Sequence, residues 1–109
     1  MEIKKIIDNK TLTVELIGRL DAVTAVELDK DLKNALENIS ELVFELKKLD
    51  YIASAGLRIL LKYQKQTDKD GIRMKIQNVQ PEVRDVLDMT GFSDFLNIID
   101  SVKRLSIEF

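Results

Sequence analysis

The chain contains no cysteine and no histidine. Without cysteine there is no disulfide to staple the fold and no thiolate to act as nucleophile or metal ligand. Without histidine, the commonest metal ligand and the side chain that titrates most readily near neutral pH are both gone. Proline occurs once and glycine four times in 109 residues, so there is no glycine-rich phosphate loop, no dinucleotide fingerprint and no linker built of breaker residues. A dominant sign of charge is missing too. Seventeen basic against 19 acidic side chains leave a net charge of −2, and no basic cluster is dense enough to neutralise a row of phosphates, so direct nucleic-acid binding is not expected. No apolar run approaches the length that spans a bilayer, and the opening MEIKKII lacks a signal-peptide core. The expectation is a cytoplasmic protein with no cofactor, no metal and no membrane contact.

Hydrophobic residues make up 45% of the chain and charged residues 33%, a balance that supports a packed core and, at this length, a single domain over residues 1–109. Two strand-like runs, Ile3–Ile7 and Thr11–Ile17, are joined across Asp8-Asn9-Lys10, with asparagine where a positive φ is tolerated. Leu12, Val14 and Leu16 alternate with Thr11, Thr13 and Glu15, the period of a half-buried strand that Gly18 would end. Thr24 and Glu27 have the spacing of a capping box. Ala25, Leu28, Leu32, Ala35 and Leu36 then share one stripe, which predicts an amphipathic helix to Asn38. Leu42-Val43-Phe44 is apolar throughout, as in a strand covered on both faces, and ends in Glu45-Leu46. After a polar break at Asp68–Gly71, Ile72, Met74 and Ile76 alternate with polar residues in a strand with one wet face, near an edge. Pro81 opens a further helix with Val83, Val86 and Leu87 on its stripe. Gly91 stops it, and Phe92, Phe95 and Leu96 cover the end of the core. Asn97–Asp100 reads as a short strand, and Ser101–Phe109 as a short helix or an extended end. This order calls for an α/β fold: a mixed, mostly parallel sheet of four or five strands with an N-terminal antiparallel hairpin and three to four helices.

The chain is organised around the segment from Leu42 to Leu61. A polar connector, Lys47–Ile52, leads into Ala53-Ser54-Ala55-Gly56. A helix follows, with Leu57, Leu60, Leu61 and Gln64 on one side and Arg58, Lys62 and Lys65 mostly on the other. Ser54 falls where an N-cap is expected, and its hydroxyl would accept from the N–H of Gly56 or Leu57. The carboxyl ends of strands are where open α/β sheets bind ligands. With the second and third strands as neighbours, Asp21 and Ser54 come to one rim. From the residues alone, Ser54 is either a cap or a modifiable hydroxyl, and Asp21 either a loop cap or a contact residue. Glu45 is a solvated carboxylate. The basic residues from Arg58 to Lys69 are a solvated face whose first member, Arg58, stands close enough to the loop to touch a partner.

The segments GRLDAVTA, LVFELKKLDYIASAGLRILL and VQPEVRDVLDMTGFSDFL resemble, in order and spacing, the STAS domain family, specifically the bacterial anti-sigma factor antagonists. The likeness covers roughly Ile3 to Asp100. The serine-alanine-glycine-leucine turn and the MTGF block are distinctive together, whereas GRLD alone is weak. The resemblance implies a STAS fold and a protein that docks on an anti-sigma factor that is also a serine kinase, freeing the sigma factor. The kinase would then phosphorylate the domain, and a metal-dependent serine phosphatase would reverse the modification. By matching motifs the phosphoacceptor is Ser54 and the family's loop aspartate is Asp21, with Asp21, Ala22, Ala53, Ser54, Ala55 and Arg58 as the partner-binding surface. Two positions depart from the pattern: Glu45-Leu46 stands where Asp-Leu is frequent, and Ala53 where Asp or Ser is. Ala53 keeps open a second reading, a STAS scaffold or regulatory module that is not phosphorylated. An enzyme is disfavoured by the missing motifs. Receiver-like phosphotransfer fails because Asp8 falls in the hairpin turn instead of in an acidic pair at a strand end.

Overall fold

The computed structural model describes residues 1–99, so the readings for Asp100 and for Ser101–Phe109 lie outside the described residues. The elements run β1 (Glu2–Asp8), β2 (Thr11–Leu20), α1 (Ala22–Leu32), β3 (Glu41–Ile52), α2 (Ser54–Asp70), β4 (Arg73–Gln77), α3 (Pro81–Met89) and β5 (Ile98–Ile99), with a 3-10 turn at Phe92–Asp94 before β5. The five strands form one sheet in sequence order. β1 is antiparallel to β2 and the remaining pairs are parallel, the mixed α/β sheet that the alternation of elements calls for. Asp8 pairs with Thr11, so the hairpin turns on Asn9-Lys10, with Asn9 at φ 59°.

Leu12, Val14 and Leu16 of β2 join Leu42, Phe44 and Leu46 of β3 in one buried cluster with Leu28 of α1, Leu57 and Leu60 of α2, and Val83 and Leu87 of α3. Each side chain of this kind stabilises the fold by about 1.5 to 3 kcal/mol relative to exposure. The other face of the sheet is polar, which corrects the expectation that β3 is apolar-covered on both sides. Val43 is buried there, but its register partners are Thr13 and Lys75. Around it Thr11 Oγ1 donates to Glu41 at 3.2 Å, Lys75 pairs with Glu41 at 3.4 Å, and Gln77 Nε2 donates to Glu45 at 3.0 Å. Glu45 also accepts from Asn78 Nδ2 at 2.8 Å and from the N–H of Lys47 at 3.1 Å. It therefore ties strand ends together and is not a free solvated carboxylate.

Both central strands run further than the sequence pattern predicts. β2 passes through Gly18, at φ 110°, to Leu20, so the glycine marks a bend and not an end. β3 takes in Lys47–Ile52, read from sequence as a connector. The register shifts between the pairs Glu15↔Glu45 and Ile17↔Lys48, and again between Gly18↔Leu49 and Arg19↔Tyr51. At each shift β3 has one residue more than β2. An extra residue breaks the period of two, so the buried positions fall at Leu46, Leu49 and Ile52 and the strand loses its alternating signature.

Other boundaries also move. α1 ends at Leu32, where a tight bond from Ala35 N–H to Leu32 O at 3.0 Å replaces the helical one, and Ala35 and Leu36 lie half-buried beyond it. α2 continues through Asp68–Asp70 to Gly71, whose φ of 73° forms the left-handed cap. Its buried side is Leu57, Ile59, Leu60, Tyr63, Gln64 and Thr67, with Leu61 only half-buried. On α3 Val86 is half-buried, and Phe95 is 66% exposed, so Leu96 is the buried member of the group predicted to cover the core end.

Candidate functional site

The site is built from the carboxyl ends of β2 and β3 and the starts of α1 and α2. Asp21 is the N-cap of α1. Its Oδ1 accepts from the N–H groups of Val23 and Thr24, each at 3.1 Å, and Thr24 Oγ1 accepts from Asp21 N–H at 2.8 Å. The capping box is therefore Asp21 with Thr24, not Thr24 with Glu27, because the helix starts three residues earlier than the Thr-x-x-Glu spacing suggests. The Thr24 hydroxyl has one proton, which goes to Arg19 O at 2.8 Å or to Asp21 Oδ1 at 3.1 Å. The Thr24 backbone N–H first, and then its hydroxyl, hold the Asp21 carboxyl below its ordinary value.

α2 starts differently. Its N-cap is Ala53, in extended conformation at φ −104° and ψ 175°, with no side-chain cap. Ser54 is the first helical residue, which corrects its assignment as the cap. The extended backbone ends at Ala53, so the helix begins one residue earlier than a cap at Ser54 would place it. Ala53 O accepts from Gly56 N–H at 2.9 Å and from Leu57 N–H at 3.1 Å. Ser54 is exposed, and among the described residues its hydroxyl has no hydrogen bond.

Two contacts lock the loops together. Ala53 N–H donates to Leu20 O at 2.9 Å, so Asp21 and Ser54 each stand one residue beyond a common backbone tie. Gly56 then lies so close to β2 that a Cβ there would meet Leu20 Cγ at 2.7 Å and Leu20 O at 2.9 Å. Only a residue without a side chain lets α2 start this near the strand.

Ala22, Ala55 and Arg58 line a shallow groove of about 280 Å³ between α1 and α2, together with Val26, Ile59 and Lys62. Val23 and Val26, 69% and 55% exposed, add apolar surface beside it. On the other side of the rim, the Arg19 guanidinium stacks over the Tyr51 ring at 4.1 Å. Deeper between the helices, Asp29 accepts from Tyr63 Oη at 2.6 Å and pairs with Lys62 at 2.9 Å. The Tyr63 bond first, and then Lys62, lower the Asp29 pKa, while burial and then Asp29 raise that of Tyr63. Among the described residues no cluster of acidic side chains is placed to hold a metal ion, and no helix is long and apolar enough to cross a membrane.

The family description "STAS domain" matches residues 2–105, nearly the whole chain. The chain belongs to the STAS domain family. An anti-sigma F factor antagonist from Paenibacillus polymyxa is 30% identical over 92 residues, covering 83% of this chain and 79% of the relative. An anti-sigma-B factor antagonist from Bacillus subtilis is 28% identical over 87 residues, covering 80% of each. Both carry the names of regulators. The solved structure of the anti-sigma factor antagonist SpoIIAA in its unphosphorylated form superposes with a TM-score of 0.78 over 96% of both chains at 17% identity, which establishes the shared fold.

In this STAS domain the rim residues named from sequence divide into three groups. Asp21 and Ser54 stand at adjoining helix starts; Ala22, Ala55 and Arg58 share the groove; and Ala53 supplies the backbone tie. Sequence reading missed Val23, Val26, Arg19 and Tyr51. The exposed valines lie in the first turn and a half of a helix whose other side is apolar, a position where aliphatic residues outside the buried stripe were the available signal. Arg19 and Tyr51 are paired by the bulged register, and no sequence pattern shows that register.

Proposed function

We propose that this STAS domain is an anti-sigma factor antagonist of the cytoplasm, acting as one domain. Its unmodified form binds an anti-sigma factor that is a serine kinase and so releases the sigma factor; phosphorylation of Ser54 ends the interaction, and a metal-dependent serine phosphatase restores it. The reading assigns no reaction to the chain itself and needs no cofactor, nucleic acid or membrane. The observation that carries it is the placement of Ser54: an exposed hydroxyl on the first residue of α2, not used in a cap, beside Asp21 on a rim fixed by the tie between Ala53 and Leu20.

Phosphorylation adds about −1.5 to −2 charges and three acceptor oxygens. A helix start tolerates an anion, and the hydroxyl holds nothing together in the fold, so the backbone has no reason to move. A partner shaped to a small hydroxyl flanked by alanines would meet a dianion next to Asp21. A loss of about 3 kcal/mol is more than a hundredfold in affinity. Ala53, without a polar side chain beside the acceptor, supports the second reading of a STAS scaffold that is never phosphorylated.

The test uses the purified anti-sigma kinase and ATP, with phosphosite mapping and binding isotherms. One phosphate is expected on Ser54, and the modified form should bind far more weakly. Ser54→Ala should bind persistently, with stability within about 0.5 kcal/mol of wild type because it removes no cap. Ser54→Asp, with part of a phosphate's charge and bulk, should bind at an intermediate level. Phosphate at another residue only, or equal affinity of the alanine, aspartate and phosphorylated forms, would reject the switch and leave the scaffold reading.

A further inference from the structure

α2 carries Arg58, Lys62, Lys65 and Lys69 at successive spacings of four, three and four residues. Such spacings keep side chains on one side of a helix, here in a row about 16 Å long. All four are exposed, and a shallow cavity of about 470 Å³ runs along them with the half-buried Leu61 in its floor. Among the described residues Asp29 is the carboxylate paired to the row, through Lys62, and Arg58, Lys65 and Lys69 have no ion pair. Like charges at these spacings repel and weaken a helix. The chain as a whole is slightly acidic, with a net charge of −2, so a uniform cationic row is not a consequence of composition.

The row begins at Arg58, one turn after Ser54, and Arg58 and Lys62 also line the groove between α1 and α2. It therefore continues the rim along the exposed side of α2. We infer that this row is the second half of the docking face and receives an acidic surface of the same protein partner, a helix or loop with carboxylates spaced to meet it. The inference rests on the reading of the chain as an antagonist that docks through the Ser54 rim. Nucleic acid fits less well, because four cations, one already paired, on an acidic chain neutralise too few phosphates. An anionic membrane fits less well too, because the row has Leu61 as its one large apolar residue and that side chain is half-buried.

The row also specifies how a phosphate on Ser54 acts. An anion four residues before a cation is the favoured order on a helix, so the phosphate pairs with Arg58. It removes from the partner the cation nearest the loop and sets about two negative charges against the partner's carboxylates. One modification thus withdraws an attraction and adds a repulsion.

The experiment measures association of the full chain with the purified anti-sigma kinase by surface plasmon resonance, at about 50 mM and about 500 mM salt. Lys65→Glu/Lys69→Glu alters the row away from Ser54, and Lys4→Glu/Lys5→Glu on exposed β1 makes the same change in net charge elsewhere. Circular dichroism melts verify that both are folded. The row variant should associate about tenfold more slowly than the control at low salt, with the difference closing at high salt. Equal rates for the row and control variants would overturn the inference. So would tighter binding of the wild-type chain to a short DNA duplex, to phosphatidylserine vesicles or to a second copy of itself than to the kinase. A row effect without phosphate on Ser54 would keep the docking row and reject the phosphoswitch. No complex with the wild-type chain would reject both.

Discussion

Placing a methyl group on Gly56 tests the joint on which the whole rim depends. The new Cβ would stand 2.7 Å from Leu20 Cγ, 2.8 Å from Ile52 Cγ1 and 2.9 Å from Leu20 O, where carbon contacts are comfortable at about 3.5 to 4.0 Å. None of these atoms can step aside easily. Leu20 and Ile52 are 0% and 3% exposed, and Leu20 O is already held by Ala53 N–H at 2.9 Å. Overpacking of this kind costs about 1 to 3 kcal/mol. Alanine recovers up to about 1 kcal/mol of helix propensity over glycine, less in a first turn than in a helix interior. The balance is a destabilisation of about 1 to 2 kcal/mol for Gly56→Ala, or a fall in Tm of about 5 to 15 °C for a domain of this size. Urea melts should show a lower midpoint at unchanged slope. Gly71→Ala is the comparison. It meets no atom within 4 Å but sits at φ 73°, so it loses about 1 kcal/mol to left-handed strain alone. The two variants should be similarly destabilised, yet only Gly56→Ala displaces Ser54 relative to Asp21 and lowers the affinity of the folded fraction for its partner. A Gly56→Ala protein as stable as wild type would show that α2 is not pressed against β2, and the argument for a rigid rim would fail.

Asparagine caps helices as well as aspartate does, so Asp21→Asn should keep wild-type stability while Asp21→Ala melts earlier. If the carboxylate meets the partner, both variants bind more weakly in calorimetry, whereas wild-type affinity in Asp21→Asn would assign the residue to capping alone. Acid sensitivity should trace to Asp29 together with Asp21 and Asp88, whose folded pKa values all lie below the ordinary 3.8. A depressed carboxylate adds stability above its unfolded pKa and loses it as pH falls through the folded one, so Tm should be level from neutral to about pH 5 and fall below about pH 4. Tyr63→Phe removes the strongest cause of the depression at Asp29, and should lower stability by about 1 kcal/mol at neutral pH while making the acid limb shallower. An acid limb as steep as wild type would refute this assignment.

How far the sequence was legible depended on whether a residue's role follows from local period or from what crosses between strands. Leu12, Val14 and Leu16 announced their strand because they alternate, and Asn9 announced its turn because few residues accept a positive φ. Pro81 and Gly91 bracketed α3 for equally local reasons. The failures sit together at the end of β2 and β3. Two extra residues in β3 convert a period of two into one of three, so Leu49 and Ile52 looked like apolar residues in a connector and Gly18 like a stop. The cap assignments at Ser54 and Thr24 fell one and three residues too late, because each followed the residue type favoured at a cap, whereas the caps are the backbone of Ala53 and the side chain of Asp21. That Asp21 and Ser54 share a rim was legible from topology alone, since parallel neighbours must bring their carboxyl ends together. What holds the rim, Gly56 against Leu20, is a contact between atoms distant in sequence, and no local pattern reports it.

The two ends of the rim differ in what the fold asks of them. At α1 the cap is a side chain: every contact of the Asp21 carboxylate within the box runs to Oδ1, so altering that residue disturbs the helix start, although Oδ2 remains for a partner. At α2 the cap is the backbone of Ala53, and the stability of the start comes from Gly56 packed on Leu20, not from any hydroxyl. Ser54 is thereby released from structural duty at the position where a bulky anion is most easily carried by a helix. A polar residue at position 53 would add a side-chain acceptor to the first turn, whose Gly56 and Leu57 N–H groups already donate to Ala53 O; alanine adds none. The arrangement separates Ser54, the proposed phosphoacceptor, from the residues that hold the surface in shape, which is the condition for a modification to change what the rim binds without changing the rim.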